Sequence, residues 1–522
     1  MLKRLKHLVP IVLLLGWAFN ILFWNSQPGI NFAIFTGLCL AGGFYVLSHN
    51  NLRPAPKSRW LIIPFVFFAG MTFIRQEPLT VFLAYTGALF CLGVLTVTYL
   101  GGRWLEYSLA DYFSKLFQLL ESLITLGVVV LAHPEPAPIE LEEKKKGLVR
   151  AIFDGVALSL PILICFGALL ASADLVFQQF MAKLLSPLTA EGGATIVLQF
   201  CVLLMVACLL MGAILHAANR SGDEKLSGEG RPPRRPLLGF TEAGIVLGSV
   251  IILFLAFVII QFRYFFGGEA NIGATGFTYS EYARSGFNEL VAVALLSLFL
   301  ILGLSSITRR ENEGQKRLYS GLSVVVVALV IVILVSAYQR LMLAMDWHGF
   351  SRLRLYPQVF MIWLGILLVA VVALEIFHRE RSFALAAVLA SLGFAISLSL
   401  FNVDASIVSH NVTRAVEGKH FNVNHLASLS NDAVPPLVAE YQNPALALEI
   451  HEGIGAALMC LRHSDTLSKA SSADWRSFNL ARWQAGRAFT EVEESLRGYG
   501  FDTGPYPDEV HTPGGVIYLC AN

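Results

Sequence analysis

The stretch LYSGLSVVVVALVIVILVSAYQ (318–339) runs 22 residues without a charge. That is the length an α-helix needs to cross a bilayer core. Its reading fixes the class of the whole chain, because blocks like it recur from end to end. Of 522 residues, 55% are hydrophobic and only 14% charged, against about a quarter charged in ordinary soluble proteins. Mean hydropathy is +0.63. A soluble enzyme, a disordered chain and a singly anchored protein are all excluded, leaving an all-α, polytopic helical membrane bundle with a small, mostly helical C-terminal domain.

Working outward, apolar blocks fall at 8–25, 30–48, 60–74, 79–100, 151–173, 192–216, 239–262, 287–305, 318–339, 358–377 and 382–401, eleven expected spans. The block at 116–132 is short and carries Glu121. Lys and Arg collect in cytoplasmic loops, and this decides its reading. If 116–132 does not cross, 23 of these residues lie on the side of the N-terminus and 7 on the other, outside the C-terminal segment; if it crosses, the division is 14 and 16. The first reading keeps Lys3, Arg4 and Lys6 in the cytoplasm behind an uncleaved first span. It places the C-terminus outside. Leu105, Leu109, Phe113, Leu116 and Leu120 recur at helical spacing, so the segment from about 103 is expected to be an amphipathic helix along the cytoplasmic surface, its apolar end dipping into the bilayer or packing against other helices. The run HPEPAPIELEEKKKG (133–147) is expected to be a solvated linker. The organisation is therefore 1–100, a four-span region; 101–150, surface helix and charged linker; 151–401, a seven-span core; and 402–522, a soluble domain.

After Phe401 the composition turns polar and mildly acidic. Asn431 before DAVPPLVAEY reads as a helix start, 445–462 as a second helix, and Trp475, Phe478, Ala481, Ala485, Phe489, Val492 and Leu496 as the apolar face of a third starting near Asp474. GVIYL near the end reads as one strand or an extended strap. Cys460 and Cys520 fall in this segment; in an oxidising compartment they would bridge, and otherwise they are two buried thiols. The spacing leaves both open.

Several separated stretches carry a family resemblance: RAIFDGVALSLPILICFGALLASADLVF (150–177), with Asp174; Thr241-Glu242 and then Gln261 through Gly268; Thr278 through Phe287; and Phe401-Asn402-Val403-Asp404-Ala405 with Asn411, Arg414 and Leu429 through Pro435. Together they resemble the bacterial membrane proteins grouped as domain of unknown function 4173, with the related 4153 group as the nearest alternative. The resemblance implies a multi-pass bacterial inner-membrane protein. It brings no reaction, substrate or catalytic residue.

The charges of interest gather at one level. Asp174, Arg263, Glu269, Glu281, Arg284, Glu289, Arg340, Asp346, His348, Arg352, Arg354, Asp404 and Arg414 all fall at or beyond the expected outer face. Charges at membrane depth are costly and end up paired or lining water. Such a crown either ties loops to spans or binds a ligand, lipid headgroup or envelope partner. Asp174, Arg263, Glu281, Arg284, Arg340, Asp404 and Arg414 are the residues expected to bind in the second case. Glu242 suits a helix N-terminus. Most spans have uncharged middles, which argues against a proton relay. The sequence shows no P-loop, GxSxG, HExxH or zinc spacing, and no cofactor, metal or nucleic acid is expected. The leading expectation is a non-enzymatic scaffold or sensor; a transporter or lipid-handling permease with a site near Asp174, Arg340 and Asp404 comes next, and an intramembrane enzyme last.

Overall fold

The computed structural model describes residues 5–132, 173–185, 193–222, 226, 238–265, 287–310, 312–377, 379, 382–469, 474–503 and 508–520, with single positions between 159 and 170. The membrane part comprises α1 (Leu8–Phe23), α2 (Ile30–His49), α3 (Ile62–Ile74), α4 (Pro78–Val97), α5 (Leu109–Ala132), α6 (Leu175–Leu185), α7 (Gly193–Asn219), α8 (Phe240–Phe265), α9 (Phe287–Ile307), α10 (Glu313–His348), α11 (Arg352–Ile376) and α12 (Phe383–Leu400). Among the described residues nine helices are long and apolar enough to cross a membrane, and α1 is a shorter apolar helix. The chain is an all-α, multi-pass helical membrane bundle. Most of the expected span at 151–173, and the linker before it, lie outside the described residues.

Two groups of helices form the bundle. In the first, α1, α2, α4, α5 and α7 pack around Val12, Leu47, Leu126, Met211 and Leu215, with α3 against α4. In the second, α8, α9 and α11 surround α10, whose Val326, Val330, Ile333, Ala337 and Leu341 form the centre. Helix α12 joins them, packing on both α11 and α4. The 36 residues of α10 make a rod about 54 Å long at 1.5 Å per residue. A hydrocarbon core is about 30 Å thick, so α10 extends well past it.

Helix α5 is not among those nine helices, and its apolar end packs against another helix. It runs alongside α7, antiparallel. Gly127 lies against the backbone of Cys208, and Gly212 against Ser122 and Leu123. Small residues permit that approach of backbones. The apolar stripe of this helix faces away from α7. Phe113 and Phe117 are 78% and 70% exposed, while Asp111, Tyr112, Leu119 and Ser122 face inward. In a bilayer the solvent is apolar, so the greasier stripe turns out and the polar one packs. Inside, the buried His216 Nδ1 shares a hydrogen bond with Ser122 Oγ at 2.9 Å, and Arg220 donates to the same oxygen.

The C-terminal segment forms α13 (Val403–Val416), α14 (Val423–Ala427), α15 (Val434–Tyr441), α16 (Leu448–Lys469) and α17 (Leu480–Val492). Their shared core includes Leu426, Ala433, Leu437, Ile454, Ala457, Ala485 and Val510. Three details differ from the sequence reading. The helix start after 430 is a short 3-10 turn (Asn431–Ala433), whose Asp432 N–H donates to the Ser430 side chain. Asp474 begins a second 3-10 turn (Trp475–Ser477); Asn479, not Asp474, caps α17, and Trp475 points outward. The tail is a three-stranded antiparallel sheet of β1 (Gly500–Asp502), β2 (Glu509–His511) and β3 (Ile517–Leu519). Strands of three residues are too brief for alternation to show in a sequence. Cys460 on α16 and Cys520 just after β3 are joined, with Cα atoms 5.4 Å apart.

Hydrogen bonds sort the connections between helices into two ends of the bundle. At one end Lys6 meets Asn50, Ala55 meets Tyr99, Gly101 meets Ser221 and Leu238 meets Ile307. At the other the loops after α1, α3 and α10 meet the C-terminal domain. Residues near 6 and the domain therefore occupy opposite ends of the helix bundle. Cysteines introduced at Asn51 and Glu417 should label with a membrane-impermeant maleimide from opposite sides of sealed membranes; labelling from one side would break this arrangement. Loss of the bridge that closes 60 residues of chain should cost about 4 kcal/mol on the chain-entropy model, visible as a lower melting temperature of detergent-solubilised protein on reduction.

Candidate functional site

The densest polar chemistry lies where the domain meets the bundle, and its logic starts from helix ends. The last carbonyls and first N–H groups of a helix have no partner within it, and they carry partial charges of opposite sign. Five such ends reach this junction.

Two C-terminal ends receive arginines, one from within the bundle and one from the domain. Arg75, just past α3, donates from Nε to Ser399 O at 3.0 Å and from Nη2 to Leu400 O at 3.2 Å, closing α12. Arg414, in the last turn of α13, donates to Asp346 O and Trp347 O at 2.7 and 3.1 Å, closing α10. Arg354 adds bonds to His348 O and Gly349 O. Gly349 has φ +85°, and a side chain there would strike Arg414 and Asn411; glycine is the residue that accepts that backbone at no steric cost. A third C-terminal end, that of α1, takes Arg476, which donates to Ile21 O and Trp24 O.

Two N-terminal ends receive acceptors. Glu77 caps α4, accepting from Leu79 N and Thr80 N at 2.9 and 2.7 Å. Its side chain also accepts from the Tyr356 hydroxyl on α11, tying the two helix groups together. At α2, Ile30 N donates to Phe478 O and Gln27 N to Ser477 Oγ, each at 2.9 Å.

Two carboxylates sit between these ends. Asp404, in the first turn of α13, is 0% exposed. Arg352 grips it with two bonds, Nε to Oδ1 at 2.8 Å and Nη2 to Oδ2 at 2.5 Å, and Ser430 donates its N–H and hydroxyl at 2.8 and 2.6 Å. Asp432 accepts from Gln76 N and Glu77 N at 2.7 and 3.0 Å, with Arg75 at 3.6 Å. Burial raises the Asp432 pKa above its ordinary value near 3.8, against the pull of the Gln76 N–H and of Arg75. Asn411 completes the junction, exchanging bonds of 2.8 and 2.9 Å with Phe350 N and O.

The sequence-derived set divides on this geometry. Asp404 and Arg414 belong to the junction, at opposite ends of α13 and engaged separately. Arg340 is buried within α10. Asp174 is exposed and accepts from Phe177 N at the start of α6. Arg263 lies in the last turn of α8, and its side chain is outside the described residues, as are Glu281 and Arg284 altogether. Sequence reading missed Arg75, Glu77, Tyr356, Ser430 and Asp432. The signal was Glu77-Pro78, an acidic residue before a proline opening an apolar run, which is a helix-start pattern. It also missed a buried pair at the far end. Glu375 near the end of α11 meets Arg310 at 2.9 Å, with Ser305 and Ser320 adding hydroxyls and Tyr319 stacked 4.0 Å from the guanidinium. A charge closing an apolar run at 375, and the pair Arg309-Arg310, were its traces. Among the described residues no group of three or more His, Cys, Asp or Glu is placed to hold a metal.

These features define a multi-pass helical membrane protein whose soluble domain is fastened to its bundle by a buried polar network. A family model described as domain of unknown function (DUF4153) matches residues 62–440, and the chain belongs to that family. The suggestion of the 4173 group is corrected to the related 4153 group. Every junction residue of α3, α4, α11 and α13–α15 lies within the matched stretch, while the disulfide, the sheet and α17 lie beyond it. No curated protein and no solved structure matches the chain.

Removing one partner of a buried pair strands the other. Arg352→Ala should therefore cost about 3–5 kcal/mol, read as thermal unfolding in detergent. Asp432→Ala leaves two N–H groups unmet, at about 1–3 kcal/mol each, whereas Asp432→Asn keeps an acceptor and should cost less. A raised carboxyl pKa means the folded chain holds that proton more tightly than the unfolded one, so this group's contribution falls as pH rises from about 3.8 through the folded value. Asp432→Asn should lack that fall.

Proposed function

We propose that this protein is a non-enzymatic scaffold or sensor of a bacterial inner membrane, holding its C-terminal domain outside the cytoplasm for an envelope partner. One observation carries the reading: Asp404, with four bonds of which two come from Arg352, and Arg414, through Nη2, fasten the domain to the bundle, which leaves the domain's outward face as the part free to act. Orientation is supported by charge. Lys6, Arg53, Lys57, Arg59, Arg103, Arg309, Lys316 and Arg317 gather at the end away from the domain, and positive charge favours the cytoplasmic side. A disulfide in the domain fits an oxidising compartment. The N-terminus is then cytoplasmic and the C-terminus extracytoplasmic, with the division at 402 separating bundle from domain. The partner is an envelope protein or a lipid.

The second reading is a transporter or lipid-handling permease. Gln261 with Ser336, and Gln358 with Tyr338, put polar pairs between α8, α10 and α11 near the domain end. The middle of α10, Val324 to Val335, is apolar throughout, which favours the scaffold. An enzyme using crown carboxylates would need Asp404 open to substrate, and it is saturated.

The test is complementation in a host lacking its own copy. On the scaffold reading, Ile517→Lys and Leu519→Lys, both on exposed positions of β3, should abolish function with normal insertion and melting temperature, while Gln358→Leu and Ser336→Ala should complement. The reverse pattern would overturn the scaffold in favour of the permease.

A further inference from the structure

Helices α11 and α12 are antiparallel neighbours with an uneven seam. Toward the domain end the Trp363 indole lies over Gly393, where any side chain would collide with it. Its ring N–H donates to Ser397 Oγ at 3.0 Å. An indole fixed at that point holds the two helices apart. Two to three turns further toward the other end, the facing positions are alanines, which project little into the seam. The result is an open groove of about 590 Å³ lined by Ala370, Ala373, Leu374, Leu385, Ala386 and Leu389, with Phe377, Arg379 and Ser382 at its mouth.

Two observations say what covers it. The groove opens onto the lipid-facing surface: Val369, Ile376 and Leu389 beside it are exposed, and Phe377 is 72% exposed. In a bilayer that surface meets acyl chains, and a space lined by alanine and leucine offers them contact without a hydrogen-bond partner for water. The mouth adds charge. Arg379 is exposed just beyond the end of α11, and no carboxylate among the described residues pairs with it. Ser382 adds a hydroxyl to the mouth. Arg310, Lys316 and Arg317 lie at the same end, although Arg310 is taken by Glu375. A cation at the end of an apolar groove, at the level where helices leave the membrane, complements a phosphate above an acyl chain.

We propose that the α11–α12 groove binds an anionic phospholipid of the leaflet at the N-terminal end, with one acyl chain along Ala370, Ala373, Ala386 and Leu389 and the phosphate at Arg379. The protein selects this lipid at one place and leaves the rest of its perimeter to unspecific lipid. The site stands on the α11–α12 geometry and is independent of the scaffold reading.

The test uses the full chain in nanodiscs containing phosphatidylglycerol with a photoreactive acyl chain, and in parallel the matching phosphatidylcholine probe. Crosslinks are mapped by mass spectrometry. The expected result is labelling of peptides spanning 366–389 that is several-fold stronger with phosphatidylglycerol. Arg379→Glu should remove that preference. Ala373→Leu with Ala386→Leu, which fills the groove without touching the buried seam, should abolish labelling there with either probe. Labelling of α8 around Leu253–Ile260, an exposed apolar face, should be unchanged in both variants, and their melting temperatures should match the parent. Equal labelling by the two probes, unaltered by Arg379→Glu, would overturn the headgroup contact and reduce the groove to unspecific lipid. Labelling that survives the double leucine variant would overturn the groove itself.

Discussion

Asp404 carries a carboxylate with no exposed surface, at a level where neither water nor lipid could serve it. Its two arginine bonds and two serine bonds are what make that burial tolerable, since an ion taken from water costs several kcal/mol unless its lone pairs are met. The four bonds come from different parts of the chain: the start of α11, on the membrane side, and the turn before α15, inside the domain. One buried charge thus dictates where a span and two domain elements lie relative to each other. The surrounding contacts obey the same electrostatic rule. Arginines close the C-terminal ends of α1, α10 and α12, and a carboxylate and a carbonyl meet the N-terminal ends of α4 and α2. Each group has the sign that the helix dipole favours. The domain completes three of the bundle's unfinished helices, α1, α2 and α10.

The spans were legible because the bilayer imposes a length and a composition, and LYSGLSVVVVALVIVILVSAYQ meets both. The motif around Asn402, Asp404, Asn411 and Arg414 was legible as a place of importance, but its purpose was not. Hydropathy says that a charge at a span end is expensive; it does not say which of many arginines answers it. Arg352 was one cation among several in the crown, and Asp432 lay within a quoted stretch without being singled out. Long-range pairing such as Arg75 with Asp432, across most of the chain, leaves no spacing to read. For helix α5 the sequence left two arrangements open. Phe113 and Phe117 mark an apolar face equally well on a helix lying in an interface and on one standing in a bundle, and only the packing of Gly127 on Cys208 separates the two.

The placement of polar groups within the spans follows from the same economy. Glu375 with Arg310 and the serines around them lie at one end of the second helix group. Gln261, Ser336, Tyr338 and Gln358 lie toward the other. Between them α10 presents valine, alanine, leucine and isoleucine to its neighbours. Among the described residues the polar chemistry of this group lies at its two ends, and the middle of α10 is packed with apolar side chains.

The latch of Arg476, Ser477 and Phe478 on the ends of α1 and α2 joins residues about 450 positions apart. A ribosome makes the chain in one direction, and membrane insertion follows synthesis. The first two helices are therefore in the membrane, with their far ends uncapped, long before the turn that caps them has been translated. Assembly of these two helices waits for a turn made about 450 residues later. A chain cut short after α12 would have all its described membrane helices and yet leave exposed carbonyls and N–H groups on the helices made first, a signature that distinguishes an unfinished molecule from a finished one at the membrane surface.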